Sequence, residues 1–131
     1  MAKILIIEDD PLMSRMYEQI FNFDQYEVKV ADDGEQGLLI AKEFQPTVIM
    51  LDVMMPKLNG FEVLDRIKLD PQLKAIPVIM LTNLSSEQDA QTAMLKGAVK
   101  YIVKNKYDPK QVSKMVKEII QANTRSEIPA A

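Results

Sequence analysis

The sequence predicts an α/β fold in which helices cover both faces of a five-stranded parallel sheet. Along its 131 residues, five aliphatic runs of strand length alternate with segments of helical periodicity. Two of these runs, 47–51 and 77–81, are apolar almost throughout, which is typical of strands buried on both faces. Short loops join the segments, and right-handed crossovers then place helices on each side of one sheet.

The strands are predicted from the aliphatic runs, and the first and last helices from apolar side chains three and four residues apart. The predicted strands are KILII, YEVKV, TVIML, PVIML and VKYIV, at residues 3–7, 26–30, 47–51, 77–81 and 99–103. The helical pattern is carried by Met13, Met16, Tyr17, Ile20 and Phe21 near the start, and by Val112, Met115, Val116, Ile119 and Ile120 near the end. Each of these two helices should bury one face.

Helix starts are marked by residues that favour N-caps. Asp10 and Asp108 each precede a proline, the pattern of an acidic N-cap followed by proline at the first helical position. The segments DGEQ, NGFE and SSEQ, at 33–36, 59–62 and 85–88, resemble capping boxes and predict the starts of the three middle helices. The end of the chain is predicted to fray, which gives one domain at residues 1–123 and a flexible C-terminal tail at 124–131.

Composition excludes several kinds of chemistry. The chain has 47% hydrophobic residues and fits one globular domain, with no cysteine for a disulfide, a thiolate metal site or a thiol nucleophile. It has no histidine, which excludes the usual zinc sites, a Ser/His/Asp triad and a phosphohistidine on this chain. We find no signal peptide or membrane span in the sequence, so we expect a soluble, cytoplasmic protein without membrane contact.

Charge is distributed unevenly around a formal net charge of −3. Residues 1–45 carry ten acids against four bases, whereas residues 96–117 carry seven lysines against the single acid Asp108. Most of these charges are expected on solvated helix faces, but the fold could bring one of the lysines onto the acidic cluster near the N-terminus.

Polar and charged side chains follow four of the five predicted strands. They are Glu8 and Asp9 after the first strand, Asp52 after the third, Thr82 and Asn83 at the end of the fourth, and Lys104 after the fifth. In an open parallel sheet the carboxyl ends of the strands form one edge, and ligands bind there. Close carboxylates favour a hard divalent cation, and Mg²⁺ also accepts phosphoryl oxygens. We therefore expect a Mg²⁺ and phosphate site, with Lys104 as a point charge and Thr82 as a hydrogen-bond donor.

Four motifs together resemble those of a known family. IIEDDP, LDVMMPKLNGFEVL, LTN and YIVK, in this order within residues 3–122, are similar to motifs of the receiver domain of two-component response regulators. The resemblance implies a CheY-like, flavodoxin-like (βα)5 three-layer sandwich with strand order 2-1-3-4-5. It also implies that Asp52 is the phosphoacceptor, and that Mg²⁺ is bound by Asp52, Asp9 and the Met54 backbone carbonyl, and through water by Glu8.

The resemblance further implies how a signal enters and leaves. A partner histidine kinase or His-containing phosphotransfer protein would supply the phosphoryl group, which Thr82 and Lys104 would contact. Thr82 and a rotating Tyr101 would then form the switch toward a downstream protein target. The expected output face, on helix 4, strand 5 and helix 5, includes Leu95, Val99, Tyr101, Lys100, Lys106 and Lys110. Such a domain is not an enzyme but a signalling phosphoacceptor that assists its own phosphorylation and dephosphorylation.

Two other functions disagree with the sequence, and a third stays open. An aspartyl phosphatase of the haloacid-dehalogenase type needs a second Asp two residues after the nucleophile, where this chain has Met54. A flavin carrier needs a phosphate-binding loop after the first strand, where acids would repel the flavin phosphate. The alternative that stays open is a phosphorylation-independent receiver that acts as a protein interaction module.

This sequence departs from the family pattern at two places, and from the pattern of some dimeric members at a third. Asn105 follows Lys104, where the family usually has proline after a cis peptide bond, so the sequence leaves the geometry of this bond open. Asn83 replaces a frequent alanine and could narrow access to Asp52.

The stretch AVKY (98–101) has lysine where charge-paired receiver dimers have acids, so we expect a monomer when unphosphorylated. With no helix-turn-helix pattern, we expect no direct nucleic acid binding, and a domain that either stands alone or was excised from a longer regulator.

Overall fold

A computed structural model describes the backbone of residues 2–127 and the side chains of residues 2–123. Strands and α-helices alternate along this part of the chain. The strands are β1 (Lys3–Ile7), β2 (Glu27–Ala31), β3 (Val48–Leu51), β4 (Val78–Thr82) and β5 (Lys100–Val103). The helices are α1 (Pro11–Phe23), α2 (Gly34–Phe44), α3 (Gly60–Leu69), α4 (Glu87–Leu95) and α5 (Pro109–Glu127), and a short 3-10 helix covers Lys104–Lys106.

The five strands form one parallel sheet in the order β2-β1-β3-β4-β5. The predicted fold class and strand order are therefore confirmed, and β1 matches its predicted range while the other strands begin one residue later than predicted. The register aligns Ile7 at the end of β1 with Ala31 on one side and with Leu51 on the other. Because β1, β3 and β4 are neighbours, the residues that follow them meet at one edge.

Successive side chains of β1 pack on opposite faces of the sheet, and each face has its own hydrophobic core. On the first face, Ile4 and Ile6 of β1 pack in one cluster with Phe21 of α1 and Val116 of α5. On the opposite face, Leu5 and Ile7 belong to the cluster that holds the buried residues of the middle helices, namely Ala41, Phe44, Val63, Leu64, Ile67 and Ala93. The result is a three-layer sandwich with α1 and α5 on one side and α2, α3 and α4 on the other.

The helix starts follow the predicted capping residues with one exception. The Asp10 carboxylate accepts a hydrogen bond from Leu12 N at 3.0 Å, and Asp108 accepts one from Gln111 N at 2.8 Å. Asp33 caps α2, and α3 begins with a complete capping box between Asn59 and Glu62. For α4 the expected cap, Ser85, is wrong by one residue: Ser86 accepts from Asp89 N, because the helix begins at Glu87.

Helix α4 is attached to the domain lightly. Within the described part of the chain, Ala93 is the one buried residue of this nine-residue helix. Its C-terminal end is joined to α3 by Lys96, whose Nζ lies 2.8 and 3.0 Å from the two carboxylate oxygens of Asp65.

The last helix is longer than expected. α5 runs to Glu127, so residues 124–127 of the predicted tail have helical backbone, while 128–131 lie outside the described residues. The division at residue 123 stays a prediction. Among residues 2–127, no helix combines the length and apolarity needed to cross a bilayer.

Candidate functional site

A cluster of carboxylates lies at the carboxyl edge of the sheet. Glu8 and Asp9 follow β1, Asp52 follows β3, and one carboxylate oxygen of each lies within 4.8 Å of the others. The Glu8 and Asp52 side chains are buried, whereas Asp9 is exposed. Three converging oxygen ligands with one open side suit a hard cation such as Mg²⁺, which prefers oxygen and retains several waters.

Lys104 brings a positive charge into this cluster from the far edge of the sheet. Its Nζ forms an ion pair with Glu8 Oε1 and lies 3.5 Å from Asp52 Oδ2. The Lys104 side chain is 8% exposed, so this contact is largely shielded from water. A buried ammonium is stable only beside such compensating charge, and the two carboxylates supply it.

The cluster holds Glu8 in an unusual protonation equilibrium. Burial, and after it hydrogen bonding and repulsion with Asp52, raise the pKa of the Glu8 carboxyl, Lys104 lowers it, and the net effect is a pKa of about 7. The other Glu8 oxygen, Oε2, accepts a weak hydrogen bond of 3.3 Å from Asp10 N. Glu8 therefore adds less negative charge to the site at neutral pH than an ordinary glutamate would.

Asp52 and Thr82 end their strands in matching turns. Met54 N donates to Asp52 Oδ1 at 3.2 Å, and Leu84 N donates to the hydroxyl of the fully buried Thr82 at 3.3 Å. Because β3 and β4 are adjacent, the two turns lie side by side. The Met54 and Leu84 side chains consequently line the same surface groove.

Tyr101 connects the edge strand β5 to the loop after Thr82. Its hydroxyl donates a hydrogen bond of 2.8 Å to the carbonyl oxygen of Leu84, and its half-buried ring packs on the core beneath α3 and α4. Burial raises the pKa of Tyr101, with the negative charges of Asp89 and Asp52 adding to the effect. A movement of the loop after Thr82 would therefore act directly on the Tyr101 side chain through this hydrogen bond.

Residues 4–117 match the response regulator receiver domain family. The chain belongs to this family. The receiver is 37% identical over 131 residues to the "DNA-binding dual master transcriptional regulator RpaA" of a Synechocystis strain, and covers 53% of that protein. It thus spans about half the length of this curated relative.

Solved structures give the same assignment of fold and family. The chemotaxis protein CheY4 of Vibrio cholerae is 31% identical, with a TM-score of 0.84 over 90% of this chain and 98% of that one. The response regulator Rcp1, solved in a Mn²⁺-bound form, is 30% identical, with a TM-score of 0.76 over 91% of each chain.

The structure also describes the surroundings of Lys110 and the peptide bond that the sequence left open. Lys110 lines a groove between α1 and α5 together with Met16 and Phe23, and its place on the output face stays a prediction. Because the described peptide bonds are all trans, Lys104–Asn105 is trans too, and the loop continues as the 3-10 helix. Asn83 is exposed beside the buried Thr82.

The role of Gly60, the first residue of α3, is not evident from the sequence. Its amide donates to Val53 O at 2.9 Å, and a Cβ at this position would lie 2.3 Å from the Asp52 carbonyl oxygen. The capping box before α3 marked the helix start, but nothing in the motif shows that the helix meets the backbone of Asp52 so closely. Gly60 therefore fixes the distance between α3 and the Asp52 turn.

Proposed function

We propose that this receiver is a phosphoacceptor of a two-component phosphorelay, in which Asp52 takes a phosphoryl group from a histidine kinase or His-containing phosphotransfer protein in the cytoplasm. The observation that carries the proposal is the position of Asp52: a buried carboxylate within 4.8 Å of two others and 3.5 Å from the Lys104 ammonium. Such a site can accept a phosphoryl dianion only if cations offset its charge. The Lys104 ammonium and a divalent ion at the carboxylate cluster would both do so.

The transfer step follows from these side chains. An Asp52 oxygen attacks phosphorus in line, the bond to the donor's imidazole nitrogen breaks, and the electron pair leaves with that nitrogen. The Lys104 ammonium forms an ion pair with the phosphoryl oxygens, and the Thr82 hydroxyl donates a hydrogen bond to one of them. The acceleration of phosphoryl transfer comes from positioning and electrostatics, because the chain contributes no histidine for acid or base catalysis.

The metal requirement is assigned to the carboxylate cluster. Asp9, Asp52 and the Met54 carbonyl would hold Mg²⁺ directly, with Glu8 acting through water, and the Mn²⁺-bound form of Rcp1 supports a divalent ion in this family. When bound, the ion would offset negative charge on the phosphoryl group and its acceptor.

The signal would leave through the Tyr101 contact. A phosphoryl group on Asp52 draws the Thr82 hydroxyl toward it, and the adjoining loop carries the Leu84 carbonyl that Tyr101 binds. The equilibrium of α4 and β5 then shifts toward the state that fits the new loop position. Leu95, 88% exposed, and the half-exposed Val99 are apolar side chains that a downstream protein could cover on this face.

A direct test uses acetyl phosphate or phosphoramidate with Mg²⁺. Intact-mass measurement should show one added phosphoryl group, and reductive trapping followed by peptide mapping should locate it on Asp52. A receiver that gains no phosphoryl group, yet binds a partner equally with and without donor, would instead be the phosphorylation-independent interaction module.

Metal binding should depend on Asp9. Titration with Mg²⁺ should shift the amide signals of residues 8, 9, 52 and 54, and Asp9→Ala should abolish the response because one of the direct ligands is lost. Asp10→Asn is the matched control, since the amide oxygen can keep the N-cap of α1 and Asp10 is outside the cluster. Unchanged spectra of the parent protein at millimolar Mg²⁺ would contradict the assignment.

The phosphorylated state should be long-lived. Hydrolysis needs a water positioned in line, and Met54 and Leu84, which border the approach, have no group that holds it. Met54→Asn/Leu84→Glu should hydrolyse roughly tenfold faster or more after donor removal, because polar side chains can orient the water.

The control for lifetime keeps the groove apolar. Met54→Leu/Leu84→Met should retain slow hydrolysis in the same assay at fixed Mg²⁺. Equal or slower decay in the polar double variant would refute the explanation.

The unphosphorylated receiver should be a monomer. Charge-paired dimers need acids that meet bases of the partner, whereas this chain has Lys100, which is exposed at the start of β5 and would repel such a base. Light scattering at micromolar concentration should give the monomer mass, and a stable dimer through the α4–β5–α5 face would show that apolar contacts outweigh this repulsion.

A further inference from the structure

An apolar groove of about 490 Å³ lies beside the phosphoacceptor, and the proposed function leaves it without a ligand. It is lined by Val53, Met54, Met55, Asn59, Phe61 and Leu84. Asn59 supplies the one polar side chain in this lining, and its carboxamide oxygen already accepts from Glu62 N. The groove therefore offers a ligand mainly sulfur, methyl and aromatic contacts.

The groove is tied to the reacting carboxylate by hydrogen bonds. The turn from Asp52 to Met54 and the turn from Thr82 to Leu84 set the positions of two lining side chains. Met54 is 58% exposed, whereas Asp52 and Thr82 are buried, so these turns border the path from solvent to the carboxylate. In an in-line attack, the leaving group departs from the side of phosphorus opposite the Asp52 carboxylate. That side faces the path from solvent.

We propose that the groove binds the apolar acyl group of a small-molecule acyl phosphate, so that this receiver favours donors with aromatic or long aliphatic acyl groups over acetyl phosphate. The inference rests on the proposed role of Asp52. In the step, an Asp52 oxygen forms a bond to phosphorus, the bond from phosphorus to the acyl oxygen breaks, and the carboxylate leaves with the electron pair. No proton transfer or oxidant is required.

The expected preference is moderate because the groove is open on one side. A phenyl ring in place of a methyl group adds apolar surface that Met54, Leu84 and Phe61 can cover. Selectivity from one additional apolar group in such a pocket is about tenfold. The aromatic ring and the methionine sulfurs also make favourable contacts.

Kinetics with two donors test the inference. Rates of Asp52 phosphorylation are measured with benzoyl phosphate and acetyl phosphate at fixed Mg²⁺, and the ratio of the two rates is compared between proteins, which cancels intrinsic donor reactivity. The ratio should fall about tenfold in Met54→Gln/Leu84→Asn, whose side chains keep their approximate size but are polar. Leu69→Ala, an exposed apolar residue at the far end of α3, should keep the parent ratio.

Binding is measured separately with analogues that cannot transfer phosphorus. Methionine methyl signals are recorded with benzoylphosphonate and with acetylphosphonate. The aromatic analogue alone should shift Met54 and Met55, while Met94 on α4 should not respond.

The outcomes distinguish the two proposals. Phosphorylation by acetyl phosphate with equal donor ratios in the parent and the polar variant would overturn the groove assignment and leave Asp52 as acceptor. Equal shifts at Met94 would show non-selective adsorption and would also overturn it. No phosphorylation of Asp52 by any of the acyl phosphates or by phosphoramidate would overturn the proposed function, and this inference with it.

Discussion

Asp52→Asn should abolish phosphorylation while leaving the receiver folded. A carboxamide is not nucleophilic enough to attack phosphorus, so the rate should fall by roughly a thousandfold or more, to the background of other side chains. The substitution keeps the shape of the side chain, and its oxygen can still accept from Met54 N, as Asp52 Oδ1 does at 3.2 Å. Removing one of two buried carboxylates also removes repulsion with Glu8, so the free energy of unfolding should stay equal or rise.

The measurement combines donor-dependent mass gain with urea unfolding. Asp70→Asn is a suitable control, because Asp70 also accepts a backbone hydrogen bond, from Gln72 N at 2.9 Å, but lies after α3 at the opposite end of the domain. The control should phosphorylate like the parent protein. A phosphoryl group found in normal yield on the Asp52→Asn protein would disprove the assignment of the acceptor.

Gly60→Ala should destabilise the receiver strongly and disturb its site. The added Cβ would lie 2.3 Å from Asp52 O and 2.7 Å from Val53 Cα, and both are backbone atoms that cannot rotate away. Relief requires α3 to move from the Asp52 turn, which stretches the hydrogen bond from Gly60 N to Val53 O. Overpacking of this kind costs about 3 kcal/mol, and the shifted turn should weaken Mg²⁺ binding as well.

Gly37→Ala provides the matched comparison for urea unfolding. Its Cβ would meet Ile7 Cδ1 at 2.5 Å and Ile7 Cγ1 at 2.8 Å, but these are side-chain atoms, which can shift by rotation as backbone atoms cannot. Alanine also gains helix propensity of up to about 1 kcal/mol inside α2, so the net loss should be well below that of Gly60→Ala. Similar losses in the two variants would show that the Asp52 turn is not rigid.

The strands were predictable because their signals are local. Continuous apolar runs fixed β3 and β4 to within one residue, and acids before prolines located the starts of α1 and α5. The meeting of Glu8, Asp52 and Lys104 was predictable as well, because it needs only the rule that parallel strands share a carboxyl edge.

Other features depend on three-dimensional contacts that leave no local signal. The sequence does not show that Lys104 pairs with Glu8 more closely than with Asp52, since that depends on side-chain reach across β1, β3 and β4. It does not show that Lys110 lines a groove between α1 and α5, because the direction of an exposed helix residue depends on how α5 is rotated on the sheet. Ser85 and Ser86 are equally good caps in isolation, and the start of α4 decides between them.

The light attachment of α4 would let the proposed phosphorylation act through conformational entropy. A helix of nine residues has little stability of its own, and the burial of Ala93 with one ion pair at its C-terminal end adds little, so α4 can unfold locally at small cost. On the proposed function, a protein that binds α4 would have to order it, and a Thr82 loop already ordered by a phosphoryl group would lower that entropic cost. Affinity at α4 can then rise without any displacement of the strands, and slower amide hydrogen exchange in α4 is where this coupling would be seen.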